Sequence, residues 1–284
     1  MRVVGIGRSA TFAAQGSFDD YASVDISCKN ELAAVVRRWM PDRVFHLGSL
    51  RQGEPDDLQR VNVQGTVHLL EILDECCPQA KVLLVGSAAE YGGGLGSEPI
   101  TESQPCQPAG PYGQSKYQAT CIGMRYAGRG MHVTVARPFN IVGAGIGPGL
   151  FLGDMLRRID QSMKTDSSVV LRVGNLQAKR DFIAVEDTVD AYVRLLEGPT
   201  SGEVFNICSG VAHSMQHVLD LLVKIVPLPV TVRVDPALYK AVDVPISFGS
   251  FAKAAHTIGF QPRRDLATSV AQAWRHYWGN GKHE

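Results

Sequence analysis

Residues 81–92, Lys81-Val-Leu-Leu-Val-Gly-Ser87-Ala-Ala-Glu90-Tyr91-Gly92, decide the fold. Val82–Val85 is a short run apolar on both faces, as a strand buried inside a parallel sheet is. It closes on Gly86-Ser87, which puts a hydroxyl just past the carboxyl end of a parallel strand. Open α/β sheets place their ligands there.

Working outward, residues 2–6, 43–47 and 131–137 are further short β-branched runs. Between them, 29–40, 57–77 and 112–128 carry apolar residues at helical spacing. Pro41-Asp42 closes the first of these helices and Pro78 the second. This alternation predicts an α/β fold, a Rossmann-like doubly wound parallel sheet covered by helices. Past about residue 140 the pattern loosens into Gly- and Pro-rich segments, with helices expected at 149–162, 186–197 and 214–226 and strands near 169–173 and 204–207. The expected organisation is a dinucleotide-binding domain over 1–140, with returns near 180–207. A smaller α/β lobe over 141–284 is expected to be mostly substrate-binding.

Composition narrows the function. With 45% apolar and 20% charged residues among 284, the chain holds enough core to exclude disorder of the whole. Lys plus Arg equals Asp plus Glu at 28 each, which argues against a nucleic-acid binder working through bulk charge. No stretch reaches the ~18 apolar residues of a membrane span, and the start has no secretion-signal pattern. Cys28, Cys76, Cys77, Cys106, Cys121 and Cys208 have neither CxxC nor disulfide-framework spacing. They read as reduced thiols of a cytoplasmic protein that holds no metal.

The amino-terminal unit is unusual. Gly5 and Gly7 follow the first strand, but the third glycine of a dinucleotide turn is absent. A turn glycine without a ligand fits Gly-x-Gly as readily as a phosphate loop does. Val24-Asp25-Ile26 already reads as a later strand, and a strand-helix-strand unit needs ~30 residues. The expectation is an irregular segment 8–23, a sheet one strand short at its edge, and weak coenzyme binding in which Arg8 or Ser9 has to help. Loss of the acidic residue after the second strand predicts poor discrimination between NADH and NADPH.

The strongest local chemistry is Tyr112-Gly-Gln-Ser-Lys116, behind Pro111 at a helix start. Residues four apart share one helix face, so phenol and ammonium project together. The ammonium is expected to favour the phenolate and lower the Tyr112 pKa, which suits proton transfer. A plain surface Tyr–Lys pair is the alternative reading.

Taken together, Ser87…Tyr91-Gly92 and Pro111-Tyr112-x-x-x-Lys116 resemble the extended short-chain dehydrogenase/reductases that act on nucleotide sugars. The resemblance covers nearly the whole chain after about residue 24. It implies a catalytic triad of Ser87, Tyr112 and Lys116, with NADP or NAD as coenzyme. It also implies coenzyme contacts from Asp25, Ile26, Leu47, Gly48 and Ser49, which join Gly5, Gly7 and Arg8 of the amino-terminal reading as the coenzyme candidates. Asn62-Val63-Gln64-Gly65-Thr66 matches the family's Asn-x-x-Gly-Thr helix, and Arg137-Pro138-Phe139-Asn140 its strand end, where Asn140 reaches the sugar nucleotide.

Gly174–Phe182 (GNLQAKRDF) resembles the branch of GDP-mannose dehydratases and GDP-4-keto-6-deoxymannose reductases. It implies GDP-sugar contacts from Asn175, Leu176, Lys179 and Arg180. The tail adds Lys240 and Asp243, where Lys240-Ala241 stands in place of the family's usual Arg-Pro. Arg180 suits a diphosphate, because its fork donates two hydrogen bonds.

The dehydratases of that branch carry a carboxylate two residues after the strand-end Ser/Thr. Here that position is Ala89, and the neighbouring Glu90 faces the other way along an extended chain. What remains is reduction of the 4-keto group of a GDP-4-keto-6-deoxyhexose, giving GDP-rhamnose or its C4 epimer. Two alternatives stand beside it: a nucleotide-sugar 4-epimerase, and a non-catalytic relative that binds a nucleotide sugar or a partner. The family's dimerising helices correspond to 57–77 and 112–128. Their second set of apolar or small residues (Val67, Leu70, Leu73, Ala119, Ile122, Met124) predicts a homodimer.

Overall fold

The computed structural model describes residues 1–9, 17–93, 96–165, 167–239 and 244–279. Two compact units divide the chain: Met1–Gly92, Cys106–Arg137 and Leu195–Val204 form the first, and Gly93–Pro105, Pro138–Arg194 and Phe205–Glu284 the second. The main boundary between the units falls at 137/138, the chain returns to the first unit over 195–204, and residues 93–105 belong to the second.

In the first unit, β1 (Val4–Gly7) pairs in parallel with β2 (Asp20–Ser23). α1 (Lys29–Trp39) then leads to β3 (Arg43–His46). A long helical stretch follows: α2 (Pro55–Leu58), a π turn at Gln59–Gln64 and α3 (Gly65–Cys76). Next come β4 (Lys81–Val85), a single 3₁₀ turn (Ala88–Tyr91), α4 (Pro111–Ala127) and β5 (His132–Pro138). Strands β3, β4 and β5 are parallel, and β9 (Val204–Ile207) completes the order β3-β4-β5-β9.

Apolar spacing explains the helices. Leu32, Ala33 and Val36 of α1 and Leu69, Leu70 and Leu73 of α3 share one core with Val82, Leu84, Val133 and Val135 of the sheet.

Two expectations are corrected here. The second strand lies at Asp20–Ser23, just before Val24-Asp25-Ile26, so part of 8–23 is regular; residues 10–16 lie outside the described ones. The sheet is also interrupted rather than short at an outer edge: β1 and β2 form their own two-stranded sheet, and β3 begins the next one. Phe45 on β3 is accordingly 41% exposed, although β4 and β5 are buried along most of their length.

The second unit contains β6 (Asn140–Val142), α5 (Phe151–Met163), β7 (Val169–Val173), β8 (Lys179–Ala184) and most of α6 (Val185–Glu197). It continues with β10 (Ala212–Ser214), α7 (Met215–Val223), β11 (Val230–Val234), β12 (Ile246–Ser247), α8 (Ala252–Ile258) and α9 (Leu266–Gly279). Leu152, Met155, Leu156 and Ile159, on one face of α5, close over β7 and α7.

β8 is the hub. It pairs with β6 and β12 in parallel and with β10 antiparallel. Asp181 at its centre is fully buried, and its carboxylate accepts from Ser209 N, Ser209 Oγ, Gly210 N and Gly249 N at 2.7–3.2 Å. Burial pushes the Asp181 pKa up against these four donors. Asp181→Asn turns one acceptor into a donor facing donors. It is expected to destabilise this unit by about 1.5–3 kcal/mol in urea unfolding; an unchanged midpoint would count against the anchoring role.

Candidate active site

Ser87 stands at the end of β4 and opens the 3₁₀ turn, where its Oγ accepts from Ala89 N at 3.1 Å. Pro111 opens α4, as its missing N–H allows, and places Tyr112 in the first turn. Gly113 brings the two segments together: a Cβ there would lie 2.6 Å from the Ala89 carbonyl oxygen. The Tyr112 side chain is thereby hydrogen-bonded to that of Ser87. Lys116, one turn further, is 5% exposed and its Nζ donates to the Val85 carbonyl at the end of β4. Ser87, Tyr112 and Lys116 therefore converge at the carboxyl end of one buried strand.

The electrostatics differ from expectation. Burial pushes the Tyr112 phenol above its ordinary pKa, and the Ser87 hydrogen bond and Arg51 offset only part of that. Burial also lowers the Lys116 pKa to about 8, opposed by the Glu90 carboxylate. Lys116 is turned to the Val85 carbonyl, and the expected lowering of the Tyr112 pKa by its ammonium is not present. A protonated phenol at neutral pH is the form that gives a proton away.

The other first-unit candidates lie at the same end of the strands. Leu47, Gly48 and Ser49 form an exposed loop after β3. Asn62 pins the residue that follows them: its Oδ1 accepts from Leu50 N at 2.6 Å, and its Nδ2 donates to Leu50 O and to Ser115 Oγ. Ile26 packs against Gly48 and Gly65. Asp25 Oδ1 accepts from Ser27 N and Ser27 Oγ, with Arg60 at 3.7 Å. Those contacts outweigh burial and hold the Asp25 pKa below its ordinary value.

The buried His46 stays neutral, its pKa lowered by burial to about 3. Thr66 Oγ1 donates to Asn62 O, so His46 Nε2 is the donor in its 2.9 Å bond to Thr66.

Gly5 and Gly7 have a packing role. A Cβ on Gly5 would lie 2.9–3.0 Å from the rings of Tyr21 and Phe18, and one on Gly7 2.6 Å from the Tyr21 hydroxyl. Tyr21 Oη donates to Ser9 O, and Ser23 Oγ donates to Arg8 O. Tyr21 and Phe18 thus occupy the space beside the two glycines.

In the second unit, Arg180 Nη1 donates to Lys179 O at 2.8 Å and Val244 O at 2.6 Å. Asn140 Nδ2 donates to Asp181 O, and Asn175 Oδ1 accepts from Gln177 N. Lys179 is exposed, whereas Leu176 is buried in the unit's core and has no side chain to offer a ligand. Lys240 and Asp243 lie outside the described residues. Sequence reasoning missed Arg137 and Thr120, which meet Glu90 under Ser87, because the partners of a buried charge leave no periodic signal.

Among the described residues, no group of three or more metal-ligating side chains exists, and no helix is long and apolar enough to cross a membrane.

The chain is similar to known proteins over most of its length. The chain is 29% identical to a GDP-6-deoxy-D-mannose reductase of Pseudomonas aeruginosa, over 81% of this chain and 78% of the relative. It is 28% identical to a GDP-6-deoxy-D-talose 4-dehydrogenase of Aggregatibacter actinomycetemcomitans, over 84% and 80%. It is also 28% identical to a UDP-glucose 4-epimerase of Yersinia pestis, over 81% and 74%. The structure of RMD from Pseudomonas aeruginosa complexed with NADPH superposes with a TM-score of 0.85 at 24% identity, covering 98% of this chain and 99% of that one.

A parallel-sheet fold with Ser, Tyr and Lys gathered at one strand end leaves little room for the non-catalytic reading. The family model for GDP-mannose 4,6 dehydratase matches residues 11–273. Over that span the chain belongs to the GDP-mannose 4,6-dehydratase family, and it is an NAD(P)-dependent short-chain dehydrogenase/reductase of nucleotide sugars.

Proposed function

We propose that this enzyme reduces the 4-keto group of a GDP-4-keto-6-deoxyhexose, giving GDP-rhamnose or its C4 epimer. The observation that carries the reading is the pairing of a protonated Tyr112 on Ser87 with the absence of an elimination carboxylate. Ala88 and Ala89 follow Ser87, and Glu90 is fully buried on Arg137. Bound NAD(P)H supplies the hydride. Ser87 holds the keto oxygen, Tyr112 gives it a proton, and Lys116 keeps a positive charge beside the site while it stays protonated. Asp25, Ile26, Leu47, Gly48 and Ser49 would hold the adenosine and nicotinamide ends. Incubation with the GDP-4-keto sugar and NADH or NADPH, with the product identified by NMR, tests this; no net coenzyme oxidation would overturn it.

A 4-epimerase is the second reading, favoured by the likeness to UDP-glucose 4-epimerases. It would retain its coenzyme through gel filtration and consume none.

Arg180 and Lys179, with Asn140 and Asn175, are the candidates for the GDP moiety. Arg180→Ala is expected to weaken GDP binding by roughly 1.5–3 kcal/mol, as loss of a charge-assisted contact does, and to leave NAD(P)H binding unchanged. Equal losses for both ligands in calorimetry would make Arg180 a strut for Val244 instead.

The enzyme is proposed to be cytoplasmic, which its six free thiols support. A homodimer through α3 and α4 now rests on the resemblance alone, because Leu70, Leu73, Ala119 and Ile122 are buried within the chain's own core. Light scattering at twice the monomer mass is the expected outcome, and a monomer at micromolar concentration sinks it.

A further inference from the structure

We infer that Glu90 is a positioning residue for the reaction, with its carboxylate fixing Ser87 from beneath and setting the charge around Tyr112. The inference rests on the reading of Ser87, Tyr112 and Lys116 as the reacting set.

Three hydrogen bonds carry it. Glu90 Oε1 accepts from Ser87 N at 2.8 Å and from Thr120 Oγ1 at 3.0 Å, and Oε2 accepts from Arg137 Nε at 2.8 Å. The residue is fully buried, and the Arg137 side chain is 6% exposed. Arg137 in turn lies 4.8 Å from the centroid of the Tyr91 ring. A Cβ on Gly86 would come within 2.4 Å of Glu90 Oε1, so the strand end leaves space for this carboxylate and no side chain of its own.

One carboxylate thus joins β4, the 3₁₀ turn, α4 and β5 at the point where Ser87 leaves the strand. A buried ion pair is weak evidence for stability, since well-packed apolar residues often do as well. Its location speaks for function: the Ser87 amide is held directly, and the Ser87 hydroxyl meets Tyr112.

The same carboxylate acts through its charge. It raises the pKa of Tyr112 and that of Lys116, each against or beside the larger effect of burial. The ionisable groups around this pair are Arg51 and His46 from the β3 side, Lys116 on α4, and Tyr91, Cys106 and Arg137 around Glu90. Arg137 is charged and His46 neutral across the working range. Removing the negative charge therefore leaves net positive charge facing Tyr112, which moves its titration to lower pH.

Glu90→Gln keeps the shape and removes the charge. It is expected to lower kcat for reduction roughly 10- to 100-fold, as small displacements of a reacting group do, with KM changed less than threefold. The Tyr112 titration is read without turnover, as the difference in phenolate absorbance between the protein and its Tyr112→Phe form. In the Glu90→Gln background it should move to lower pH. A second variant guards against a simple folding defect: Glu90→Leu with Arg137→Met removes both charges and should recover thermal stability without recovering kcat.

Wild-type kcat in Glu90→Gln, a superimposable Tyr112 titration, or full activity in the stable double variant each overturns the inference. Full activity in Tyr112→Phe overturns the underlying reading instead.

Discussion

Tyr112→Phe is expected to lower turnover of the GDP-4-keto sugar by roughly 10²–10⁴-fold, the range general acid–base groups contribute. The substitution removes one hydroxyl and almost no volume, so the packing of α4 stays as it is. Tyr112 is hydrogen-bonded to Ser87 and held protonated at neutral pH by burial, which fits it to give a proton beside that hydroxyl. GDP binding should be unchanged, because the GDP candidates lie on other segments. NAD(P)H binding should weaken only slightly, since Lys116 and the 47–49 loop remain. Stopped-flow reduction with calorimetry on the same preparations reads both. Turnover within a few-fold of wild type would remove Tyr112 from the chemistry.

Most of the first unit was legible because its signals are local. Val82–Val85 could only be a buried strand, and β4 runs Lys81–Val85. Pro111 marked a helix start, and α4 begins there. The spacing of Tyr112 and Lys116 then put both on one face. Their charge states were not legible, because burial rather than the Tyr–Lys spacing decides them. The expectation that Lys116 lowers the Tyr112 pKa counted a neighbour and missed the desolvation of both groups.

The amino-terminal glycines were less legible, for a different reason. Gly5 and Gly7 match a phosphate-turn pattern at two positions, but what a glycine leaves room for depends on residues distant in sequence. Tyr21 and Phe18 supply the answer, and they become neighbours only once β1 pairs with β2. In the second unit, β8 was missed as a strand because Lys179-Arg180-Asp181 puts three charged residues at its start. Only the donors gathered on Asp181 make that sequence a buried strand. The motif was visible in the sequence as a candidate ligand site; part of it serves as the scaffold that holds Arg180.

Lys116→Met is expected to make the protein more stable and inactive at once. Lys116 is 5% exposed, and its Nζ hydrogen bond goes to the Val85 carbonyl. Burial brings its pKa down to about 8, so at pH 7 the folded state carries an ammonium it would sooner neutralise. That lowering corresponds to on the order of 3 kcal/mol held against folding. Methionine has a similar length, fills the same space and has no charge to desolvate, though it gives up the Val85 bond, at about 1 kcal/mol. The net gain is about 1–2 kcal/mol at pH 7, a rise of a few degrees in melting temperature. The sign of its pH dependence follows from the direction of the shift. Below about pH 8 both folded and unfolded lysine are protonated and the cost is present in full. Between about 8 and the ordinary lysine range the unfolded chain binds more protons, so wild-type stability rises with pH and the advantage of the variant shrinks. Activity should fall at least 100-fold in the variant. In the wild type kcat/KM should decline as pH rises through about 8, where the free enzyme loses the Lys116 charge. A variant that melts below wild type at pH 7, or that keeps its turnover, would show that Lys116 is a structural side chain rather than a charge held in the fold for the reaction.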